Sequence, residues 1–261
     1  MKCRIDQLLV QRGLAESRHR AQALVLAGQV LADERKIEKP GQQVEPGAAI
    51  RILGRLPWVS RAGAKLEGAL GHFGIEVRGR VSADLGASTG GFTDCLLQNG
   101  ALRVFAFDVG RGQMDWKIRS DPRVVVRDRF NVRNLGPGDL PGDVSFVCMD
   151  LSFISVTKIL PALGRALDSA GPPSEPGAAE ARVVDVVVLV KPQFEAGRGE
   201  VGKGGIVRDP GVRARALGAV TDSAAAAGYG VVGDTVSPLP GAGGNLEFLL
   251  YLRWTKGLLS R

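Results

Sequence analysis

Cysteine and histidine are nearly missing from this chain, three and two residues of 261, and the shortage excludes whole classes of chemistry. Cys3, Cys95 and Cys148 form no C-x-x-C pair, so neither a disulfide framework nor a zinc site of the usual Cys/His kind can be assembled without recruiting carboxylates. No metal is expected. Cys95 and Cys148 fall in apolar-periodic segments and read as packed thiols, while His19 and His72 read as surface or locally satisfied residues. Apolar runs near the roughly 20 residues of a membrane span are missing too. The first residues, MKCRIDQLLV, lack the apolar core of a secretory signal. Together these absences predict a soluble, cytoplasmic protein with no membrane partner.

Hydrophobic residues make up 44% of the chain, enough for a real core. The net charge of +7 is unevenly spread: residues 1–65 hold 12 Lys/Arg against 6 Asp/Glu, and the remainder is almost balanced. A small module carrying nearly the whole basic excess has the electrostatic footprint of a nucleic-acid binder. Ile5, Leu8 and Leu9 recur at helical spacing before Gly13, and Ser17 can cap a second helix bearing Ala21, Leu24 and Val25, which Gly28 ends. Short β-like runs follow, punctuated by Pro40-Gly41 and Pro46-Gly47. RIDQLL, SRHRAQALVLAGQVLAD and PGQQVEPGAAI resemble the S4-like RNA-binding domain. The resemblance implies that Arg4, Arg18, Arg20, Arg35 and Lys36 contact phosphates and the shape of a folded RNA.

The expected domains are therefore an S4-like module over residues 1–54, a linker over 55–59 in which Pro57 forbids helix, and a second domain over 60–261. In that second part VSADLG, RVFAFDVG, VVVRDRF, VSFVCMDLSF, VVDVVVLVKPQF and EFLLYLRW are six strand candidates, separated by helical segments such as TKILPALGRAL. Nearly continuous apolar strands alternating with helices predict an α/β, Rossmann-like, doubly wound and mostly parallel sheet. Residues 169–181, SAGPPSEPGAAEA, read as a surface loop.

The glycine turn between the first strand and its helix, DLGASTGGF, names a class of ligand. A P-loop needs a lysine after its second glycine, and Phe92-Thr93 stand there instead. A dinucleotide fingerprint needs a middle glycine, and Ser88 occupies that place. With Asp84 ending one strand and Asp108 ending the next, the pattern resembles the S-adenosylmethionine loop of class I methyltransferases. That resemblance implies cofactor contacts from Asp84, Gly86, Ala87, Ser88, Thr89, Gly90, Gly91 and Phe92, with Asp108 accepting the ribose hydroxyls.

Four charged residues stand where a switch-point reading places a substrate: Lys65 in SRAGAKL, Asp150 in VCMDLSF, Lys191 in VVLVKPQFE and Glu247 in GGNLEFLL. A charge at the end of an apolar strand is expensive unless paired. With DLGASTGGF, KPQFEAGRGEVGKGGIVRD and SPLPGAGGNLEFLL, this set resembles the TlyA or hemolysin A family of ribosomal RNA ribose methyltransferases, whose catalytic domain is of the FtsJ type. The resemblance implies that Lys65, Asp150, Lys191 and Glu247 form a catalytic tetrad for S-adenosylmethionine-dependent methylation of a ribose 2′-hydroxyl, cytidine by family, in ribosomal RNA or ribosomal subunits. Lys191 is the candidate general base or hydroxyl-orienting donor. Arg129 and Asn131 align with a family stretch near the cofactor, with Phe130 where the family has threonine. Residues 197–210, GRGEVGKGGIVRDP, suggest a mobile lid or an RNA backbone contact through Lys203. The competing expectations are a catalytically inactive RNA-binding assembly factor and a pore-forming hemolysin.

Overall fold

A computed structural model of the chain describes residues 2–26, 28–52, 57–170, 182–197 and 199–256. Residues 55 and 56 of the expected linker, and residues 171–181 of the expected surface loop, lie outside the described residues. The chain divides into two compact units, Met1–Pro57 and Trp58–Arg261.

The first unit runs β1 (Cys3–Arg4), α1 (Ile5–Gln11), α2 (Arg18–Leu26), β2 (Val30–Ala32), β3 (Arg35–Lys36), β4 (Gln43–Val44) and β5 (Ile50–Ile52). The spacing read from the sequence is the spacing that packs: Ile5, Leu8 and Leu9 of α1 meet Ala21, Leu24 and Val25 of α2 in one apolar cluster with Val30, Ile37 and Val44. Ser17 Oγ accepts from the Arg20 amide at 3.2 Å and so caps α2. Asp6 is fully buried beneath this pair. It accepts from Arg4 at 2.9 and 3.0 Å, Arg18 at 3.1 Å and Gln22 at 3.0 Å. The Arg4 hydrogen bonds lead in holding its carboxyl well below the usual range. Arg4 and Arg18, expected as phosphate contacts, thus have an internal anion as partner, because a buried carboxylate has to be neutralised locally. Arg20, Arg35 and Lys36 are exposed.

The second unit contains α3 (Ala62–Phe73), β6 (Val81–Leu85), α4 (Gly91–Gln98), β7 (Arg103–Phe107), α5 (Trp116–Arg119), β8 (Val124–Arg127), β9 (Val144–Met149), α6 (Leu160–Ser169), β10 (Val183–Val190), α7 (Pro192–Glu195), α8 (Pro210–Ala226), β11 (Gly230–Val236) and β12 (Phe248–Thr255). Its seven strands lie in the order β11-β12-β10-β9-β6-β7-β8. The pairs β6–β7, β7–β8, β6–β9 and β9–β10 are parallel, and β12 runs antiparallel between β10 and β11. One strand more is present than the six expected. β11, GVVGDTV, escaped the pattern because it is an edge strand with half-exposed valines, two glycines and a register shift between Val231 and Gly233.

Two apolar clusters cover the two faces of this sheet, one around Val186, Val188, Leu163 and Trp254, the other around Val187, Leu189, Leu66 and Leu96. Alternate residues of β10 serve opposite clusters, which is why every residue from Val186 to Val190 is apolar. Each such side chain contributes about 1.5–3 kcal/mol when fully buried. Asp185 interrupts the run at the far end of the sheet, where Arg80 (2.8 Å), the Tyr251 hydroxyl (2.6 Å) and Arg253 (3.2 Å) donate to it. Chemistry is left to the opposite edge.

Candidate active site

At that opposite edge, β6 ends in the glycine turn. Gly86 takes φ +90°, and a Cβ there would stand 2.6 Å from the Asp150 carbonyl oxygen, so both backbone freedom and space require glycine. The Gly86 and Ala87 amides donate to the Phe107 carbonyl at 2.9 and 3.0 Å, fixing the turn to the end of β7. Asp108, the next residue, accepts from the Ser88 amide at 2.8 Å and the Gly110 amide at 2.7 Å. One carboxylate thereby ties together the loops after β6 and β7.

Asp84 behaves differently from expectation. Its side chain is sealed below the turn, where Oδ2 accepts from Thr93 Oγ1 of α4 at 2.6 Å and Oδ1 has no hydrogen-bond partner among the described residues. It lines neither cavity described below. Burial pushes its carboxyl up to about 7 against the pull of the Thr93 hydrogen bond, and the charge of Asp150 adds to the rise. A carboxyl raised on folding makes the folded state bind more protons than the unfolded state between about pH 4 and pH 7. Its contribution to stability is therefore full below pH 4 and lost as pH rises through 7. Asp84→Asn is expected to gain thermal midpoint relative to the unsubstituted protein on going from pH 5 to pH 8. Parallel melting curves across that range would contradict it.

Two cavities adjoin at the turn. The first, about 150 Å³, is lined by Ser60, Ala62, Gly86, Ala87, Ser88, Thr89, Gly91, Phe92, Asp150, Ser152 and Lys191. The second, about 380 Å³, shares Gly86, Ser88, Asp150 and Ser152 with it and continues past Asp108, Val109, Gly110, Gln113 and Asn131 to Phe153 and Ile154. Gly90 and Arg129, grouped with the cofactor contacts from sequence, line neither. Gly90 instead turns the chain into α4, and Arg129 is exposed with φ +58°. Ser60, Ser152, Gln113 and Phe153 were missed. Their signal was position alone, since each lies within a few residues of a strand end or of α3, where the open edge of such a sheet holds its ligands.

The four charged candidates form two ion pairs. Lys191, the first residue after β10, reaches Asp150, the first after β9, with Nζ 2.6 Å from Oδ1, and also donates to Ser152 Oγ at 3.0 Å. Lys65 on α3 pairs with Glu247 at 2.5 Å. Because β12 is antiparallel, its first residues lie at the edge where the parallel strands end, and the pairing of Val190 with Phe248 sets Glu247 beside Lys191. Gln193 Nε2 stands 3.5 Å from Glu247 Oε1. Lys65, Lys191 and Glu247 are all buried. Buried pairs add little net stability compared with apolar packing, whereas losing one partner is costly, so the retention of Lys191–Asp150 in the wall of the first cavity, with Glu247 next to Lys191 across the β10–β12 pairing, points to chemistry.

In the loop after α7, Gly202 bridges to Ile206, and the buried Asn245 side chain accepts from the Val207 amide at 3.0 Å and donates to the Gly205 carbonyl at 2.8 Å. The expectation of a mobile lid gives way, for residues 202–207, to an anchored turn that carries Lys203 exposed at its tip.

The family model described as FtsJ-like methyltransferase matches residues 58–254, three-quarters of the chain, and that of the S4 domain matches residues 3–50. The chain belongs to the FtsJ-like methyltransferase family. Among its relatives, a 16S/23S rRNA (cytidine-2′-O)-methyltransferase, TlyA, of Mycobacterium tuberculosis is 48% identical over 97% of this chain and 90% of its own length. A solved structure from Streptococcus thermophilus, described as a hemolysin, is 41% identical, covers 98% of this chain and 89% of that one, and superposes with a TM-score of 0.72. An S-adenosylmethionine-dependent methyltransferase from Mesorhizobium loti, 14% identical, covers 74% of this chain and 98% of that one, with a TM-score of 0.50, and shares the fold alone. The FtsJ-like fold thus implies S-adenosylmethionine as cofactor. Among the described residues no helix is long and apolar enough to cross a membrane, and no cluster of side chains could hold a metal ion.

Proposed function

We propose that this chain methylates a ribose 2′-hydroxyl, of cytidine, in ribosomal RNA, with S-adenosylmethionine as donor and Lys65, Asp150, Lys191 and Glu247 as its catalytic set. The observation that carries the reading is the Lys191–Asp150 pair at the wall of the cavity made by the glycine turn. The residues present suit the cofactor. A turn of small residues leaves backbone accessible along the first cavity, and Asp108 offers a carboxylate to hydroxyl donors in the second. When bound, S-adenosylmethionine supplies an electrophilic methyl group.

An alcohol is a weak nucleophile, so placement and management of its proton decide the rate. The Lys191 ammonium donates to Ser152 and is held by the charge of Asp150, which aims the group and leaves N–H capacity for the ribose oxygen. As the oxygen–methyl bond forms, the hydroxyl proton has to leave. Asp150 can take it as a carboxylate, and Lys191 can do so only as the neutral amine, in which case it is the base and not the donor. Lys65, held by Glu247, adds a second positive charge to the same edge. Arg20, Arg35 and Lys36 of the S4 unit, with Lys203, supply exposed cations for phosphate contacts that position the RNA. A ribosomal substrate places the activity in the cytoplasm.

Labelled methyl transfer from S-adenosylmethionine to ribosomal subunits, followed by nuclease mapping, tests this directly. Label is expected in a 2′-O-methylcytidine. Label only in protein, or none with the cofactor bound, would refute it; the second result would favour an RNA-binding assembly role.

A further inference from the structure

Resting on the 2′-O-methyltransferase reading, we infer that Glu195 is a positioning residue that holds Lys191 in register with Asp150 and Ser152. The loops leaving β9 and β10 face each other over residues 150–156 and 191–195 and are joined at both ends. Near the strands, Lys191 reaches across to Asp150 at 2.6 Å and Ser152 at 3.0 Å. Four residues further on, Glu195 spans the same gap in the reverse sense, its Oε2 accepting from Ser155 Oγ at 2.6 Å and its Oε1 from the Val156 amide at 2.9 Å.

The second junction is built for position. No cation pairs with Glu195 among the described residues. Burial raises its carboxyl above the usual glutamate range, with only the Ser155 and Val156 donors opposing that rise. A half-buried charge with two neutral donors is a poor stabilising device, yet its geometry uses both oxygens across one gap. Between the two junctions the backbone is irregular. Phe153 takes φ +64°, a conformation non-glycine residues adopt only when neighbours enforce it, and its 89% exposed ring leans on Phe194 with centroids 5.2 Å apart. The near junction alone would leave residues 153–156 free to relax and carry Ser152, which accepts from Lys191, with them.

The test is steady-state methyl transfer to ribosomal RNA by Glu195→Ala, Glu195→Gln, Ser155→Ala and the double variant, with melting curves for each. Transfer by the unsubstituted protein in the same assay establishes the underlying reaction, so its failure is separate from failure here. Glu195→Ala is expected to lower kcat at least tenfold, with the KM for S-adenosylmethionine changed less than about threefold. Glu195→Gln can accept from Val156 and donate to Ser155, and should recover most of the rate. Ser155→Ala should cost less than Glu195→Ala, and the double variant no more than Glu195→Ala alone. Wild-type kcat in Glu195→Ala overturns the inference. So does Glu195→Gln being as slow as Glu195→Ala, or a rate loss that merely follows the fraction folded.

Discussion

Lys191→Ala is expected to reduce methyl transfer by about 10³-fold or more while binding of S-adenosylmethionine stays within a few-fold of normal. The asymmetry follows from where the side chain lies. The ammonium is one of many groups on the wall of the first cavity, and the second cavity, which continues past Asp108, does not include it. A cofactor would keep nearly all its contacts without it. The hydroxyl nucleophile would lose both the group that aims it and one of the two groups placed to handle its proton. Asp150 would be left without its cation at 2.6 Å, with Oδ1 sealed and the rest of its side chain partly exposed, so the variant should fold with some loss of stability. Single-turnover transfer and equilibrium dialysis with labelled cofactor separate the two effects. Turnover at the wild-type level would remove Lys191 from the chemistry, and a rate without a lysine-like limb in its pH profile would leave it as a donor and not a base.

What could be read in the sequence is what local pattern dictates. Continuous valine in β10 announced a strand covered on both faces, and the strand-end places of Asp150 and Lys191 followed from it. DLGASTGGF announced its own turn because Gly86 leaves room for no side chain beside the Asp150 carbonyl. Pattern failed where tertiary partners decide. Arg4 and Arg18 look the same in sequence as Arg20, and only the fold shows that Asp6 lies beneath the first two. Asp84 looked like a cofactor ligand because it ends a strand, but strand pleat and the Thr93 hydroxyl turn it inward. β11 was invisible because an edge strand need not alternate. The division of the tetrad into Lys65–Glu247 and Lys191–Asp150 depends on β12 running backwards, which no spacing reveals.

That reversed strand makes a glycine far from the turn motif decisive, and Gly241→Ala is expected to be about as damaging to the site as loss of Glu247 itself. A Cβ at residue 241 would overlap Oε1 and Cδ of Glu247 and stand 3.1 Å from its Cγ. The backbone has little room to retreat, since the Gly241 amide donates to the Asn245 carbonyl at 2.8 Å and its own carbonyl accepts from the Gly244 amide at 3.1 Å. Asn245 is in turn buried and bonded to the 202–207 turn. The carboxylate must therefore move, and Lys65, with side-chain exposure of only 11%, loses its partner at 2.5 Å. Breaking a buried pair on one side costs about 3–5 kcal/mol. For a unit of this size that is a fall in melting temperature on the order of 10 °C. Transfer should drop to the level of Glu247→Gln, and combining the two substitutions should cost little beyond either, because both remove the same interaction. A Gly241→Ala protein that melts within about 2 °C of the parent and keeps its turnover would show that Glu247 is not held where Lys65 needs it.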